Sequence, residues 1–253
     1  MKPSVLITGA SEGIGRSFAM AMAEQGYIVH MTARNEQRLK DLMTELPGEG
    51  HEIHVADLSK DSGVEKLASL MQNQRFNLLI NNAGYGLLGR FQELPIEAQL
   101  EMVNLNIKAL MTLAHRFVNQ AQSGDALMNV SSLIGFMPFP PQGVYAATKS
   151  FVTSFTESLW YEQKKRGVFV MGLCPGPTKS EFWTRSGGRA KDMPDYISQS
   201  PDQVVKEALH HLQKRRSPIM VSGLMNRMTK WSTSLIPRRV ILSLGARTTP
   251  SYR

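Results

Sequence analysis

The stretch "TGASEGIG", Thr8–Gly15, decides the fold of this chain. It follows the apolar run "VLI" and precedes "RSFAMAMAEQ", whose apolar residues recur with helical spacing. Glycines between a strand and a helix permit a tight turn and close backbone approach, and the helix N-terminus offers free N–H groups to an anion. The stretch therefore predicts a dinucleotide phosphate turn with G-x-x-x-G-x-G spacing, carried by Gly9, Gly13 and Gly15.

The alternation of strand and helix continues along the chain. Helical stretches separate seven strand-like runs: "VLITGA", "YIVHMTAR", "EIHVADL", "NLLINNAG", "ALMNVSS", "VFVMGLCPG" and "SPIMVSG". One long helix is predicted from about residue 96 to residue 122, and another begins after Ser200, which forms a capping box with Gln203. Strands buried on both faces read as continuous Val/Ile/Leu runs. We predict an α/β, Rossmann-type fold over residues 1–223, with a doubly wound parallel sheet and helices on both faces.

Composition excludes several classes of protein. Of the 253 residues, 42% are hydrophobic and 20% are charged, which is typical of one globular domain. The first residues lack the pattern of a signal peptide, so we expect a cytoplasmic location. The single cysteine, Cys174, excludes an internal disulfide framework and a thiolate zinc cage. No histidine forms an i, i+4 pair beside a carboxylate, and we predict no metal site.

The end of the second strand-like run bears on the choice of cofactor. The stretch "MTARNE" puts Arg34 where the adenosine ribose of a dinucleotide would lie. An acidic residue there would accept from the 2′-hydroxyl of NAD, whereas an arginine suits the extra phosphate of NADP. No Asp or Glu occurs between Tyr27 and Asn35, which favours NADP(H); the alternative is an ordinary surface arginine. Asp57, after the third run, could contact the adenine ring or cap the next helix.

Six elements together resemble the single-domain branch of the short-chain dehydrogenase/reductase superfamily. They cover about the first two hundred residues in the family's order: "TGASEGIG", "NNAG" at Asn81–Gly84, Asn106 in "VNLNI", Ser132 in "NVSS", Tyr145 and Lys149 in "YAATK", and "PGPT" at Pro175–Thr178. Ser132 lies 13 residues before Tyr145, the family's usual distance.

The resemblance implies a hydride transfer between a nicotinamide cofactor and a carbonyl or secondary alcohol. Tyr145 would act as general acid or base, and Lys149, one helical turn away, would stabilise its phenolate and hold the nicotinamide ribose. Ser132 would bind the substrate oxygen. Asn106 would continue a proton path through water; we choose it over Asn104 because it best fits the family's valine-Asn-leucine pattern.

The resemblance also implies a set of cofactor-binding residues: Gly9, Ser11, Gly13, Ile14, Gly15, Arg34, Asp57, Asn82, Gly84, Tyr145, Lys149, Pro175, Gly176 and Thr178. One departure stands out, since members that use NADP often carry a basic residue inside the glycine turn and this chain has Glu12 there. Arg34 is then the main expected contact to the 2′-phosphate.

The substrate side is predicted from aromatic residues near the motifs. These could wall an apolar pocket, or lie in the core or in an oligomer interface: Phe136, Met137, Phe139, Phe182 and Trp183. The polar and glycine residues after Trp183 suit a mobile lid. We expect an apolar small-molecule or acyl substrate and a homo-oligomer, either a dimer or a tetramer.

The residues 224–253 form a basic amphipathic C-terminal extension. From Lys214 to Arg253 there are nine basic residues and no acidic one. Four apolar residues follow i, i+4, i+7, i+11 spacing, as on one helix face: Leu224, Met228, Trp231 and Leu235. The helix could lie on an anionic membrane surface, or fold back onto its own domain or a partner subunit. No interleaved basic and aromatic pattern supports a nucleic-acid partner.

We therefore predict an NADP(H)-dependent oxidoreductase that interconverts a carbonyl and a secondary alcohol. The alternatives are a catalytically silent dinucleotide-binding regulatory protein and a peripheral membrane protein that acts through its tail. The intact set of Ser132, Tyr145 and Lys149 favours the enzyme.

Overall fold

Seven parallel strands form one sheet in the structure, a computed structural model that describes residues 2–187 and 198–247. The strands are β1 (Ser4–Thr8), β2 (Ile28–Ala33), β3 (Glu52–Val55), β4 (Leu78–Asn81), β5 (Ala126–Val130), β6 (Phe169–Cys174) and β7 (Ile219–Val221). Their order is β3-β2-β1-β4-β5-β6-β7. Each strand falls in one of the seven runs predicted from the sequence.

Ten α-helices surround the sheet in the described part of the chain. They are α1 (Gly13–Glu24), α2 (Glu36–Glu45), α3 (Asp61–Asn73), α4 (Ile96–Val103), α5 (Leu110–Gln120), α6 (Gly143–Gln163), α7 (Glu181–Arg185), α8 (Pro201–Lys214), α9 (Leu224–Leu235) and α10 (Arg238–Arg247). Helices α1, α2 and α8 pack on one face of the sheet, and α3, α5 and α6 pack on the other. The prediction of a doubly wound sheet with helices on both faces is confirmed.

Burial on both faces explains why the strands are continuously apolar. Along β1, Val5 and Ile7 join the core on one face, while Leu6 between them joins the core on the other. All three side chains have no exposed surface, because successive strand residues point to opposite faces. Full burial of such a side chain stabilises the fold by about 1.5–3 kcal/mol.

The prediction of one continuous helix from about residue 96 to residue 122 is wrong in one detail. A π-helical segment, Asn104–Ala109, interrupts it between α4 and α5. The segment places Asn106 fully inside, where its side chain bonds to groups outside the helix. A π-helical turn adds one residue to a turn of the helix, but the apolar and polar residues on either side still follow a helical pattern. The hydrophobic pattern therefore did not predict the interruption.

The sheet order reverses between β1 and β4, and ligands of such sheets bind at the carboxyl ends of the strands beside this switch point. Thr8 ends β1 and Asn81 ends β4 there, and Ser132 and Pro175 follow the ends of β5 and β6. The motifs found in the sequence therefore meet at one edge. None of the described helices is long and apolar enough to cross a membrane.

Candidate active site

The glycine turn has the backbone geometry that its sequence predicts. Gly9 has a φ of +67° and Gly13 a φ of +53°, a left-handed region that favours glycine. A Cβ added at Gly15 would collide with the carbonyl oxygen of Gly9, so the first turn of α1 closes directly on the turn. Ser11 and Ile14 lie in the same segment and are partly buried.

Asn82, in the "NNAG" motif, joins this motif to the glycine turn by hydrogen bonds. Its side-chain amide donates to the carbonyl oxygens of Thr8 at 2.9 Å and Gly9 at 3.1 Å. The backbone N–H groups of Asn82 and Ala83 each donate to the Thr8 hydroxyl at 2.9 Å. The turn is therefore held rigid by the protein itself, before any ligand binds.

Glu12, the departure noted in the sequence, is paired with a basic residue. It is the N-cap residue of α1, but its side chain makes no capping hydrogen bond, and its carboxylate forms an ion pair with Arg38 of α2. The pairing offsets the negative charge beside the helix N-terminus. Sequence reasoning missed Arg38, because its partner lies 26 positions away along the chain.

Arg34 and Asp57 lie at the neighbouring ends of β2 and β3. Arg34 is exposed, and Asp57 accepts hydrogen bonds from the backbone N–H of Ser59 at 3.0 Å and from its hydroxyl at 2.8 Å. Partial burial raises the pKa of Asp57, but the Ser59 hydrogen bonds and the charge of Arg34 outweigh it and hold that pKa below its usual value. Asp57 thus presents a charged carboxylate next to Arg34.

Tyr145 and Lys149 are buried together at the start of α6, with 6% and 4% of their surface exposed. The Lys149 ammonium lies 5.8 Å from the centre of the Tyr145 ring and donates to the carbonyl oxygen of Val130 at 2.8 Å. Burial raises the pKa of Tyr145 far above its usual value of 10, against the lowering effect of hydrogen bonding with Ser132. Burial lowers the pKa of Lys149 to about 8.

Ser132 lies beside this pair, immediately after β5. Its hydroxyl accepts from the N–H of Ile134 at 3.4 Å and lies 3.5 Å from the carbonyl oxygen of Pro175. Both distances are long for hydrogen bonds, so the hydroxyl is only weakly committed to the backbone. The hydroxyl also hydrogen-bonds the Tyr145 phenol, which places both hydroxyls where one substrate oxygen could meet them.

Asn106 connects two parts of the site. Its amide nitrogen donates to the carbonyl oxygen of Tyr85 at 2.9 Å and to the Thr148 hydroxyl at 3.1 Å, and its oxygen accepts from the Tyr85 N–H at 3.1 Å. Asn104, the neighbouring candidate, is exposed. A Cβ added at Gly84 would come within 2.9 Å of the Asn106 side-chain oxygen, so the backbone at Gly84 passes close to the Asn106 side chain.

The loop after β6 carries the last motif. Pro175 accepts a hydrogen bond from Leu133 at 2.8 Å, which ties this loop to the one that holds Ser132. The Thr178 hydroxyl donates to the carbonyl oxygen of Gly176 at 3.0 Å, and Thr178 pairs with Gln199 in a parallel bridge. Gly176 packs directly against the side chain of Asn226 in α9. The C-terminal extension therefore starts beside the site, a contact that sequence reasoning missed.

The substrate side brings an aromatic ring and a buried amide to Tyr145. The ring centre of Phe182 lies 5.8 Å from that of Tyr145. Gln142 is 4% exposed, and its amide nitrogen has no hydrogen-bond partner among the described residues. A Cβ added at Gly86 would lie 3.2 Å from the Tyr145 ring and 3.3 Å from that nitrogen, so the two side chains flank the same backbone. Sequence reasoning missed Gln142.

The other predicted pocket residues have different surroundings. Phe136 and Met137 pack against the small core cluster of Leu133, Cys174 and Val221. Phe139 contacts Gly245 of α10. The side chain of Trp183, and residues 188–197 of the predicted lid, lie outside the described residues.

A second group of titratable residues lies away from this edge, on β2 and β3. His30 and His54 have parallel rings, and the Nδ1 of His30 lies 3.1 Å from the Nε2 of His54, with Glu52 at 3.7 Å from both. The short contact between the rings is an N–H···N hydrogen bond, which uses the lone pair of one imidazole and the proton of the other. A metal ion would need both lone pairs at once, so this arrangement fits hydrogen bonding rather than coordination.

The fold and this edge define a dinucleotide-binding enzyme of the α/β class. The family model for short chain dehydrogenases matches residues 3–189, so the chain belongs to the short chain dehydrogenase family, which binds NAD(P)(H). The chain is an oxidoreductase that acts on CH–OH and C=O groups.

Named relatives agree in reaction class and differ in substrate. The 7beta-hydroxysteroid dehydrogenase of Mediterraneibacter gnavus is 30% identical over 229 residues, which cover 88% of this chain and 86% of that protein. Sulfoacetaldehyde reductase 2 of Chromohalobacter salexigens is 32% identical over 197 residues, covering 74% and 78%. The short-chain dehydrogenase from Sphingobium yanoikuyae in complex with NADPH superposes with a TM-score of 0.84 at 29% identity, covering 92% of this chain and 93% of that one.

Proposed function

We propose that the protein is an NADP(H)-dependent oxidoreductase that interconverts a carbonyl and a secondary alcohol on an apolar substrate. One observation carries the proposal: Tyr145 and Lys149 are buried side by side next to the weakly committed hydroxyl of Ser132. Two hydroxyls and one ammonium thus converge at the carboxyl edge of the sheet, where this family binds its cofactor.

The residues at this edge fit a dinucleotide. The positive φ angles of Gly9 and Gly13 shape the turn, and no side-chain cap from Glu12 occupies the first-turn N–H groups of α1. These amides would hold the pyrophosphate, and Asn82 and Gly84 would line the middle of the site. Pro175, Gly176 and Thr178 would hold the nicotinamide end. The bound cofactor would supply or accept the hydride.

The chain's own residues would handle the substrate oxygen and its proton. Ser132 and Tyr145 would both donate hydrogen bonds to a ketone oxygen, which fixes the carbonyl and increases its positive character at carbon. Tyr145 would then give its proton to the oxygen as the alkoxide develops. Burial opposes formation of the phenolate, and Lys149, whose ammonium lies 5.8 Å from the centre of the ring, would supply a stabilising positive charge. Asn106, between Tyr85 and Thr148, would keep the proton route aligned.

Two arginines support NADP(H) as the cofactor. Arg34 is exposed at the end of β2, close enough to Asp57 to lower that residue's pKa. Arg38 forms an ion pair with Glu12, which offsets the negative charge beside the phosphate turn. Guanidinium groups bind phosphate in a bidentate manner, which suits the 2′-phosphate of NADP. The NADPH complex of the Sphingobium yanoikuyae protein is consistent with this choice.

Apolar contacts support a hydrophobic substrate. Phe182 faces the Tyr145 ring, and the neighbouring amide of Gln142 is a buried donor without a partner in the described residues. A mainly apolar molecule with an additional oxygen acceptor would satisfy both features. The Mediterraneibacter gnavus relative is a 7beta-hydroxysteroid dehydrogenase, and a hydroxysteroid is a substrate of this kind.

The test combines cofactor binding with turnover. NADPH and NADH binding are measured by fluorescence titration on the wild type, on Arg34→Ala and on Arg116→Ala, a matched control because Arg116 is exposed on α5. NADPH oxidation is then followed against a panel of ketones and 3-oxoacyl compounds. We expect tighter binding of NADPH than NADH, weakened in Arg34→Ala only. Binding without turnover of any carbonyl would contradict the enzymatic proposal, and equal affinity for both cofactors would contradict the choice of NADP(H).

A further inference from the structure

Helix α9 contacts its own domain with its polar face. Asn226 is 5% exposed and packs against Gly176, and the Lys230 ammonium lies 4.6 Å from the ring centre of Phe136. Thr229 and Thr233 lie on the same side of the helix and are partly buried. An amphipathic helix usually packs its apolar face against the protein core. Helix α9 instead packs its polar face against its own domain.

The apolar face of α9 points outward. The exposed fractions of its four regularly spaced apolar residues are 56% to 69%: Leu224, Met228, Trp231 and Leu235. They span about three turns on one side of the helix. A continuous stripe of this kind that faces solvent marks a surface for another partner.

The charge around the stripe indicates the partner. The last acidic residue of the chain is Glu207, so no carboxylate side chain follows it in the sequence. Arg227 borders the stripe and pairs with Glu207 at 3.4 Å. Arg238 and Arg239 are exposed at the start of α10, directly after α9. An apolar stripe with a tryptophan, followed by two exposed arginines, matches the boundary between acyl chains and anionic headgroups.

A second copy of the chain fits this surface less well. In a two-fold symmetric dimer built on this patch, Arg238 and Arg239 of both copies would enter one interface, and the segment after Glu207 supplies no carboxylate side chain to pair with them. Neither α9, with 12 residues, nor α10, with 10, is long enough to span a bilayer, so the contact would lie in the plane of the surface.

We infer that α9 and the start of α10 dock the protein onto anionic lipid bilayers. The stripe inserts among the acyl chains, and Arg238 and Arg239, at the start of α10, bind lipid phosphates. Since α9 contacts Gly176 and α10 contacts Phe139, docking brings the loops around the active site to the lipid surface. An apolar substrate could then enter from the bilayer. The inference does not depend on the proposed function, because binding to vesicles is measured without turnover.

Vesicle co-sedimentation of the full chain tests the inference. Phosphatidylcholine vesicles with and without phosphatidylglycerol are compared at low and high salt. We expect binding to the anionic vesicles only, weakened by salt because the headgroup attraction is screened. No binding to anionic vesicles at low salt would overturn the inference.

Two pairs of matched variants separate the stripe from general surface effects. Trp231→Ser should weaken vesicle binding about tenfold or more, whereas Tyr161→Ser, at an equally exposed aromatic on α6, should not. Arg238→Gln with Arg239→Gln should weaken binding on the order of 30-fold, since each cation near an anionic surface contributes about 1 kcal/mol. The control is Lys164→Gln with Lys165→Gln, at exposed cations after α6.

Sedimentation velocity completes the test. A monomer–oligomer equilibrium that Trp231→Ser abolishes, with vesicle binding unchanged, would assign the stripe to a second copy and overturn the inference. Trp231→Ser binding that equals that of the Tyr161→Ser control would overturn it as well.

Discussion

Two pairs of largely buried titratable residues, one on helix α6 and one on strands β2 and β3, behave differently. Tyr145 and Lys149 lie at the carboxyl edge, beside the Ser132 hydroxyl, which bonds the Tyr145 phenol and makes only long contacts to the backbone. His30 and His54 lie within β2 and β3, where the second ring nitrogen of His30 meets the side chain of Gln74 at 3.0 Å and Phe76 packs against its ring. Burial displaces the pKa values in both pairs.

The difference is in what surrounds the pairs. The histidines sit in a closed network whose partners are all protein groups, so their shifted pKa values affect the stability of the fold. The tyrosine and the lysine lie at the carboxyl edge of the sheet, where we propose that the cofactor and the substrate bind, so we expect their shifted pKa values to affect chemistry. A displaced pKa therefore indicates a functional site only together with its position in the fold.

The largest expected effect is on turnover. Tyr145→Phe removes the proton donor and leaves the buried ring, so kcat for ketone reduction should fall by about 10²- to 10⁴-fold. The midpoint of urea unfolding should stay nearly unchanged. Steady-state kinetics and urea titration measure the two quantities. A kcat within a factor of a few of the wild type would remove Tyr145 from the proposed mechanism.

The pH profile of reduction should follow Lys149. Burial lowers its pKa to about 8, so the ammonium is present below that pH and is lost above it. We expect kcat/KM for ketone reduction to fall as pH rises through about 8, because the phenolate loses its stabilising charge. Lys149→Met should be slow at every pH and lack this step. A wild-type profile that is flat up to pH 10 would contradict the role of the ammonium.

The histidine pair should change stability instead of turnover. Burial lowers the pKa of His30 from 6.5 to about 4, so the unfolded chain binds a proton more readily between these values. The stabilisation by neutral His30 is complete above about pH 6.5, and roughly 2–3 kcal/mol should be lost as pH falls towards 4.

Urea unfolding at several pH values measures this loss. His30→Gln should reduce the slope of the free energy of unfolding against pH, whereas His115→Gln, at an exposed position on α5, should leave it unchanged. Turnover at pH 7 should be unaffected in both. An unchanged slope in His30→Gln would assign the acid sensitivity to other groups.

The smallest expected effects come from two glutamines, one beside each pair. Gln74→Leu removes the partner of His30 and should destabilise the fold by about 1–2 kcal/mol without changing KM. Gln142→Leu removes an amide nitrogen that has no protein partner in the described residues, so stability should change little. KM for the best substrate should rise about tenfold if that substrate binds the amide. The reverse pattern in the two variants would invalidate the contrast between the pairs.

The sequence predicted what depends on local chemistry. The capping box of α8 is confirmed, with hydrogen bonds of 3.2 Å and 2.9 Å between Ser200 and Gln203. The seven predicted strands are confirmed. They could be predicted because strands that are buried on both faces are continuous runs of apolar residues. The residues proposed for the active site lie at one edge, because parallel strands end on the same side. Their roles stay predictions, as do the boundary at residue 223, the homo-oligomer and the cytoplasmic location.

The sequence did not predict what depends on pairing across the fold. The Glu12–Arg38 ion pair joins residues 26 positions apart, and no local pattern relates them. Periodicity identified the two faces of α9, but it could not tell that the polar face would contact Phe136 and Gly176. The amide nitrogen of Gln142 has no hydrogen-bond partner among the described residues. The sequence could not predict this, because it does not show which groups surround a buried side chain.

The β-bridge between Thr178 and Gln199 affects which changes in chain length the fold can tolerate. Lys179 donates to the carbonyl oxygen of Gln199, and Gln199 donates to that of Pro177, each at 3.0 Å, so both ends of the intervening chain are fastened at one point. Because the entropy cost of a closed loop grows only slowly with its length, insertions and deletions between residues 187 and 198, after α7, should cost the fold little. Changes in the length of this segment would therefore leave Tyr145 and Lys149 in their positions.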